Sequence, residues 1–208
     1  MGNLMKNILL SASIPRDPNE CSENLINEAM IVSALRALCG FAIRANRRII
    51  WSGQPSITPL VLEMLSKKGG DVNKHAMLYQ TDYYARNHSD INSLLRSIRY
   101  IPKQQDERES LFEMRVHMVM SHEYEAGIFI GGAQDVKDEF ELFSNCHPEA
   151  KVIALSSTGG AAKSLSHSMP VFHGKSSDIN SFLQLYSETL IDDILKKTAS
   201  IGLSEPRF

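Results

Sequence analysis

Ala126-Gly-Ile-Phe-Ile-Gly-Gly-Ala-Gln-Asp-Val-Lys-Asp-Glu-Phe-Glu-Leu-Phe143 is the stretch that decides the fold. Its first part, Ala126 to Ile130, is apolar and of strand length, and it runs straight into Gly131-Gly132. Such a run with no polar alternation reads as a strand buried on both faces. A helix over about Val136 to Phe143 follows, then a strand at Lys151 to Leu155. Thr158-Gly159-Gly160 then opens another helix through Leu165. Strand, helix, strand, helix with short connections is the pattern of a parallel sheet covered on both faces with right-handed crossovers.

Working outward, the same alternation holds upstream. Ile8 to Leu10 is a short apolar run that ends in Ser11-Ala12-Ser13-Ile14-Pro15. From Ser22, a plausible N-cap, to Ala45, residues Leu25, Ala29, Val32, Leu35, Cys39 and Ala42 recur at helical spacing. Arg48 to Ser52 reads as a second strand broken by Gly53, and a helix from Ser56 or Thr58 through Leu65 stops at Gly69-Gly70. His75 to Gln80 is a third strand. Asp82 to Asp106 carries a weak helical pattern at Ile91 to Ile98 and a short strand at Arg99 to Ile101. Leu111, Met114 and Met118 form a helical stripe, and Ile179 to Thr198 is a final amphipathic helix. The expected architecture is α/β: a doubly wound, mostly parallel, Rossmann-like sheet in a single domain over residues 1–208.

Composition narrows the function. The chain has 208 residues, 22 Lys plus Arg against 24 Asp plus Glu, and formal net charge -2. It therefore lacks the basic field that holds nucleic acid or anionic membrane, and neither is expected as a partner. The 3 cysteines, Cys21, Cys39 and Cys146, show no C-x-x-C spacing and fit a reducing compartment. The run Ile8 to Leu10 is too short for a secretion signal, and no later stretch approaches the roughly 20 apolar residues of a membrane span. A cytoplasmic location is the expectation.

In a doubly wound sheet, ligands bind beyond the carboxyl ends of the strands. Four strands end in small-residue loops: Ser11-Ala12-Ser13, Ser52-Gly53-Gln54-Pro55, Gly131-Gly132-Ala133 and Ser156 to Gly160. Small side chains let backbone N–H groups approach a ligand, and the helix that follows presents its positive end to an anion. Other chemistries find less support. Ser157 to Ser164 is not a P-loop, because glycines are needed where Ser157 and Ala162 stand, so Lys163 belongs on a helix surface. There is no G-x-G-x-x-G and no G-x-S-x-G. His117 and His122 are spaced for different faces of a helix, so neither metal ligands nor a cofactor motif is found. Arg115, at the border of the Leu111-Met114-Met118 stripe, and Glu139, in the helix after Gly131-Gly132, are the charges best placed for chemistry. A guanidinium holds phosphate or carboxylate bidentately, and a carboxylate near a sugar binds hydroxyls or stabilises an oxocarbenium-like centre. Both also fit as solvated helix charges.

Ser110-Leu-Phe-Glu-Met-Arg115, followed by Ala126 to Phe143 with Gly131, Gly132 and Glu139, resembles the Arg-containing helix and the GGxGTxxE motif of the lonely-guy (LOG) family. The form is the variant one of the wider SLOG superfamily, which includes the ligand-sensing domain of Thoeris antiphage effectors. Leu10 to Pro15, Trp51 to Leu60, the Tyr79-Gln80 pair and Ser157 to Ala162 are similar to the other SLOG ligand loops, so the resemblance covers about residues 8–165. LOG enzymes cleave the N-glycosidic bond of purine nucleoside monophosphates with an Arg and a Glu, roles that the resemblance assigns to Arg115 and Glu139. Sensor members bind cyclic ADP-ribose-type signals in the same cleft. Counted back from Glu139, Asp135 stands where the enzyme motif has its next Gly, and the loop is one residue longer.

The expectation is a domain that binds a nucleotide or ADP-ribose-related ligand, cyclic forms included, as a sensor in antiphage defence, with no further cofactor. Ser11, Ser13, Gly53, Pro55, Gln80, Gly131, Gly132, Thr158, Gly159 and Gly160 would line its cleft beside Arg115 and Glu139. LOG-like hydrolysis is the alternative, and a non-catalytic interaction protein is the second. The resemblance also implies a homodimer paired through helices beside the site. Met30, Leu38 and Phe41, off the stripe of the first helix, are the residues expected to meet a partner chain.

Overall fold

In the computed structural model, residues 5–15, 25–84, 95–167 and 181–190 are described. Six strands form one sheet: β1 (Lys6–Ser13), β2 (Arg47–Ser52), β3 (Ala76–Thr81), β4 (Ile98–Ile101), β5 (Tyr124–Gly131) and β6 (Lys151–Leu155). Their spatial order is β4-β3-β2-β1-β5-β6, and every pairing is parallel. The helices are α1 (Glu28–Arg44), α2 (Thr58–Lys67), the short α3 (Val72–His75), α4 (Glu107–Met120), α5 (Gln134–Cys146) and α6 (Gly160–His167). A 3₁₀ turn at Ser156–Thr158 precedes α6, and residues 181–190 are helical. This is the α/β, Rossmann-like architecture expected from the sequence.

Side-chain alternation along the strands sorts the interior into two layers. Ile8, Leu10 and Ala12 of β1, with Ile49, Trp51, Leu78, Ile128 and Ile130, pack under α1, α2 and residues 182–190. Leu9, Ile50, Tyr79, Phe129 and Ala154 face the other way, onto Met114 and Met118 of α4, Val136 and Phe143 of α5, and Ala161 of α6. The chain winds outward from β1 through β4, then crosses back to place β5 on the other side of β1. The direction of winding therefore reverses between β1 and β5, which opens a crevice at their carboxyl ends. Ser13 and Gly131, the last residues of the two strands, are register partners.

Several elements differ in detail from the sequence reading. α1 begins at Glu28, capped by the Asn27 side chain, which accepts the Met30 N–H at 3.2 Å. Ser22, the expected cap, lies outside the described residues. Leu25, placed in the apolar stripe, is 92% exposed ahead of the helix, and the buried face is Ile31, Ala34, Leu35, Leu38, Cys39 and Ala42. Leu38 and Phe41 are buried in the chain's own core, Phe41 with its ring 6.2 Å from that of Tyr186, so they are not available to a partner. They look off-stripe only against one layer. A helix wedged between the sheet and residues 181–190 buries a wider arc. Met30 is partly buried against the same core. His75 ends α3 instead of opening β3. Of the weak helical pattern at Ile91 to Ile98, residues 91–94 lie outside the described residues, and residues 95–98 are not helical, Ile98 opening β4. Among the described residues, no helix is long and apolar enough to cross a membrane.

Candidate functional site

The carboxyl ends of β1, β2 and β5 carry Ser11 and Ser13, Ser52 and Gly53, and Gly131 and Gly132. By alternation from Leu9 and Ile50, Ser11 and Ser52 project to the α4–α5 side of the sheet. Glu139, on the second turn of α5, meets them there. It is 2% exposed, and its Oε1 accepts the Ser52 hydroxyl at 2.8 Å. The same oxygen lies 3.5 Å from Nε of Arg115, which α4 delivers from the facing helix, and the guanidinium also lies 3.7 Å from Asp138. Arg115 and Glu139, singled out from the sequence, are thus one ion pair at the switch point of the sheet.

Burial pushes the Glu139 carboxyl above the usual carboxylate range. The Arg115 charge and then the Ser11 and Ser52 hydroxyls pull it down, while Asp135 pushes it further up. Ser11, fully buried, stands beside this carboxyl without meeting full hydrogen-bond geometry, and its Oγ has no other partner. The Arg115 Nε is likewise left without a hydrogen bond. Buried polar atoms without partners are uncommon, and their concentration in a cleft marks a place for a polar ligand or water.

The glycine loops hold one another. Gly132 N–H donates to Ser13 O at 3.0 Å, and Ala161 N–H donates to Gly132 O at 2.8 Å. Thr158 Oγ1, fully buried, accepts the Gly131 N–H at 2.8 Å and donates to Leu155 O at 2.6 Å. Gly160 has φ +56°, and a Cβ there would stand 2.4 Å from Gly132 O, so only glycine permits this loop-on-loop packing. Thr158 and Gly160 therefore brace Gly131 and Gly132, while Gly159 packs against the backbone of Leu25 and Ile26.

Pro55 is exposed on the turn after β2, and Ser56 in that turn accepts the Ile14 N–H at 3.2 Å, joining the β1 and β2 loops. Gln80 continues the Ala76 and Leu78 row of β3, on the α2 side of the sheet, and its side chain packs against Gly53. It is 3% exposed with both amide atoms unpartnered. Gln80 thus stands across the sheet plane from Glu139. Lys163 is exposed on α6, as its place in the sequence suggests.

Ser52 and Gln54, which the sequence shows only as part of the loop after β2, and Asp135, marked there by its place in the motif, also belong to the site. Ser52 is the last residue of β2 on the Ile50 side, which strict alternation would have revealed. Gln54 and Asp135 form a pair: Gln54 Nε2 donates to Asp135 Oδ2 at 2.7 Å, and Asp135 Oδ1 accepts the Ala133 N–H at 3.1 Å. No sequence pattern joins residues so far apart in the chain. A separate cavity of about 480 Å³, lined by His122, Tyr124, Cys146 and His147, lies at the opposite, amino-terminal ends of β5 and β6.

No curated protein matches the chain. The X-ray structure of TM1055, a structural-genomics target, superposes with TM-score 0.53 at 16% identity, over 88% of this chain and 99% of that one, a likeness in fold of the LOG type. The SLOG cluster3 family matches residues 23–190, a span that includes α1, the Arg115 helix and the Gly131 to Glu139 loop, and the chain belongs to that family.

Proposed function

We propose that this domain binds a nucleotide or ADP-ribose-related ligand in the crevice where β1, β2 and β5 end, and acts as a sensor. The observation that carries this reading is the group around Glu139: a buried carboxyl held by Ser52 and Arg115, with Ser11 Oγ and Arg115 Nε lacking hydrogen-bond partners beside it. A sugar supplies hydroxyls that both donate and accept, which suits serine, carboxylate and guanidinium together. As a sensor the protein would serve antiphage signalling, as the resemblance implies. Two copies would pair through α4, whose Phe112 and Met120 are 61% and 67% exposed. Light scattering reading twice 23.3 kDa supports that pairing, and 23.3 kDa refutes it.

Hydrolysis of an N-glycosidic bond is the second reading, and the Arg115–Glu139 pair favours it. An ionised Glu139 against the anomeric carbon would stabilise the positive charge that develops there as the base departs. The two readings separate in one experiment. The protein is incubated with adenosine monophosphate, NAD and cyclic ADP-ribose isomers, products are followed by chromatography, and melting temperature is recorded. Ligand recovered intact with a raised melting temperature supports sensing. Free base, released at enzymatic rates and lost in Glu139→Gln, supports hydrolysis. No shift and no product refutes both.

A further inference from the structure

The positive end of α5 already has an anion, and it belongs to the protein. Asp135 folds back so that Oδ1 accepts the Ala133 N–H at 3.1 Å, while Gln54, reaching across from the loop after β2, donates to Oδ2 at 2.7 Å. The neighbouring Gly132 N–H is committed to Ser13 O. A phosphate settling on a glycine loop at a helix N-terminus uses such N–H groups and meets no opposing charge. Here both are engaged within the protein, the Ala133 N–H by the carboxylate itself.

We propose that Asp135 makes this loop select a ligand that offers it an uncharged sugar hydroxyl and reject one that offers a terminal phosphate. The inference rests on the ligand-binding reading of the crevice and narrows its substrate class. Each carboxylate oxygen accepts more than one hydrogen bond, so Asp135 keeps acceptor capacity for a hydroxyl while it holds Ala133 and Gln54. A phosphate monoester, close to doubly charged at neutral pH, would meet Asp135 first and Glu139 one turn along α5. Arg115, the cation on this wall, is turned to Glu139 and Asp138. A second observation points to a hydroxylated ligand: Ser11 Oγ, fully buried beside Glu139, has no hydrogen-bond partner. The diphosphate of an ADP-ribose-type ligand would then lie away from this loop, with a ribose turned toward it.

Adenosine, ADP-ribose and adenosine monophosphate are titrated calorimetrically into the wild type and into Asp135→Asn. That variant keeps an oxygen for Ala133, and its unliganded melting temperature checks the fold. The wild type is expected to bind adenosine or ADP-ribose at least about tenfold more tightly than the monophosphate. Asp135→Asn is expected to bind the monophosphate about tenfold better than the wild type, the size of one close like charge removed from a partly screened site. Monophosphate binding gained only in Asp135→Asn, with nothing bound to the wild type, also supports the proposal. Equal monophosphate affinity in the two proteins overturns the selection and leaves the crevice reading standing. If none of the three compounds binds either protein, the crevice reading fails and takes the proposal with it.

Discussion

The Ser52 hydroxyl donates a 2.8 Å hydrogen bond to Oε1 of Glu139, tying the carboxyl end of β2 to α5 through a group that is nearly fully buried. Because the same oxygen faces Arg115 at 3.5 Å, the charge state of one carboxyl links two strands and two helices. Stability should therefore report on the site even before a ligand is known.

Burial raises the Glu139 carboxyl above its ordinary value, so the folded state holds this proton more tightly than the unfolded chain. Its contribution to stability is complete below the unfolded value of about 4.5 and is lost as pH rises through the folded one. Glu139→Gln keeps an acceptor for Ser52 and cannot ionise. Its unfolding free energy, measured in urea from pH 4.5 to pH 8, is expected to fall less than that of the wild type. A wild-type curve no steeper than the variant's would show that Glu139 is not perturbed in this direction.

Arg115 is the strongest influence holding the Glu139 carboxyl down. Arg115→Met retains an unbranched stem while removing the charge. The carboxyl should rise further, so stability drops more steeply above pH 5 in Arg115→Met than in the wild type. Combining it with Glu139→Gln should abolish the extra slope. Parallel curves for Arg115→Met and wild type would mean that the pair is not coupled.

The sheet was legible from sequence because its strands are continuous apolar runs closed by small residues, as in Ile8 to Leu10 and Ala126 to Ile130. Arg115 and Glu139 were legible as candidates because each follows an apolar stripe or strand at a fixed offset. What they do to one another was not, since 3.5 Å across two helices has no trace in spacing. The Gln54–Asp135 bond was hidden for the same reason. α1 misled at its start: Leu25 fits the helical period, yet the Asn27 cap lies after it, and the cap sets the boundary.

Thr158 ties the glycine loop to the end of β6 by accepting the Gly131 N–H and donating to Leu155 O. Thr158→Val preserves shape and leaves the buried Gly131 N–H without its acceptor, which should cost about 1–3 kcal/mol. Thr158→Ser, which keeps the hydroxyl, should recover most of that in the same denaturation experiment. A Thr158→Val variant as stable as the wild type would show that the hydroxyl is not needed and remove Thr158 from the bracing of the glycine loop.

On the same layer of the sheet, the Tyr79 hydroxyl and His122 Nε2 lie 2.8 Å apart with their rings edge to face. Burial, and then the charges of Arg48 and Arg99, hold the imidazole below its usual value. A histidine lowered in this way favours folding when neutral. Its contribution is present above the unfolded value of about 6.5 and is lost as pH falls through the folded one. The Tyr79 hydroxyl can donate to Nε2 only while that nitrogen carries no proton, so the bond adds to the preference for the neutral ring. Tyr79→Phe should therefore cost about 0.5–1.5 kcal/mol at pH 8 and less at pH 5, where the bond is already strained by protonation. His122→Gln should flatten the fall in stability between pH 7 and pH 5. NMR titration of the ring protons gives the direct test, since the His122 midpoint should lie below 6.5 in the wild type and move upward in Tyr79→Phe. A midpoint unchanged by the substitution would show that Tyr79 receives the hydrogen bond from the ring instead of donating it.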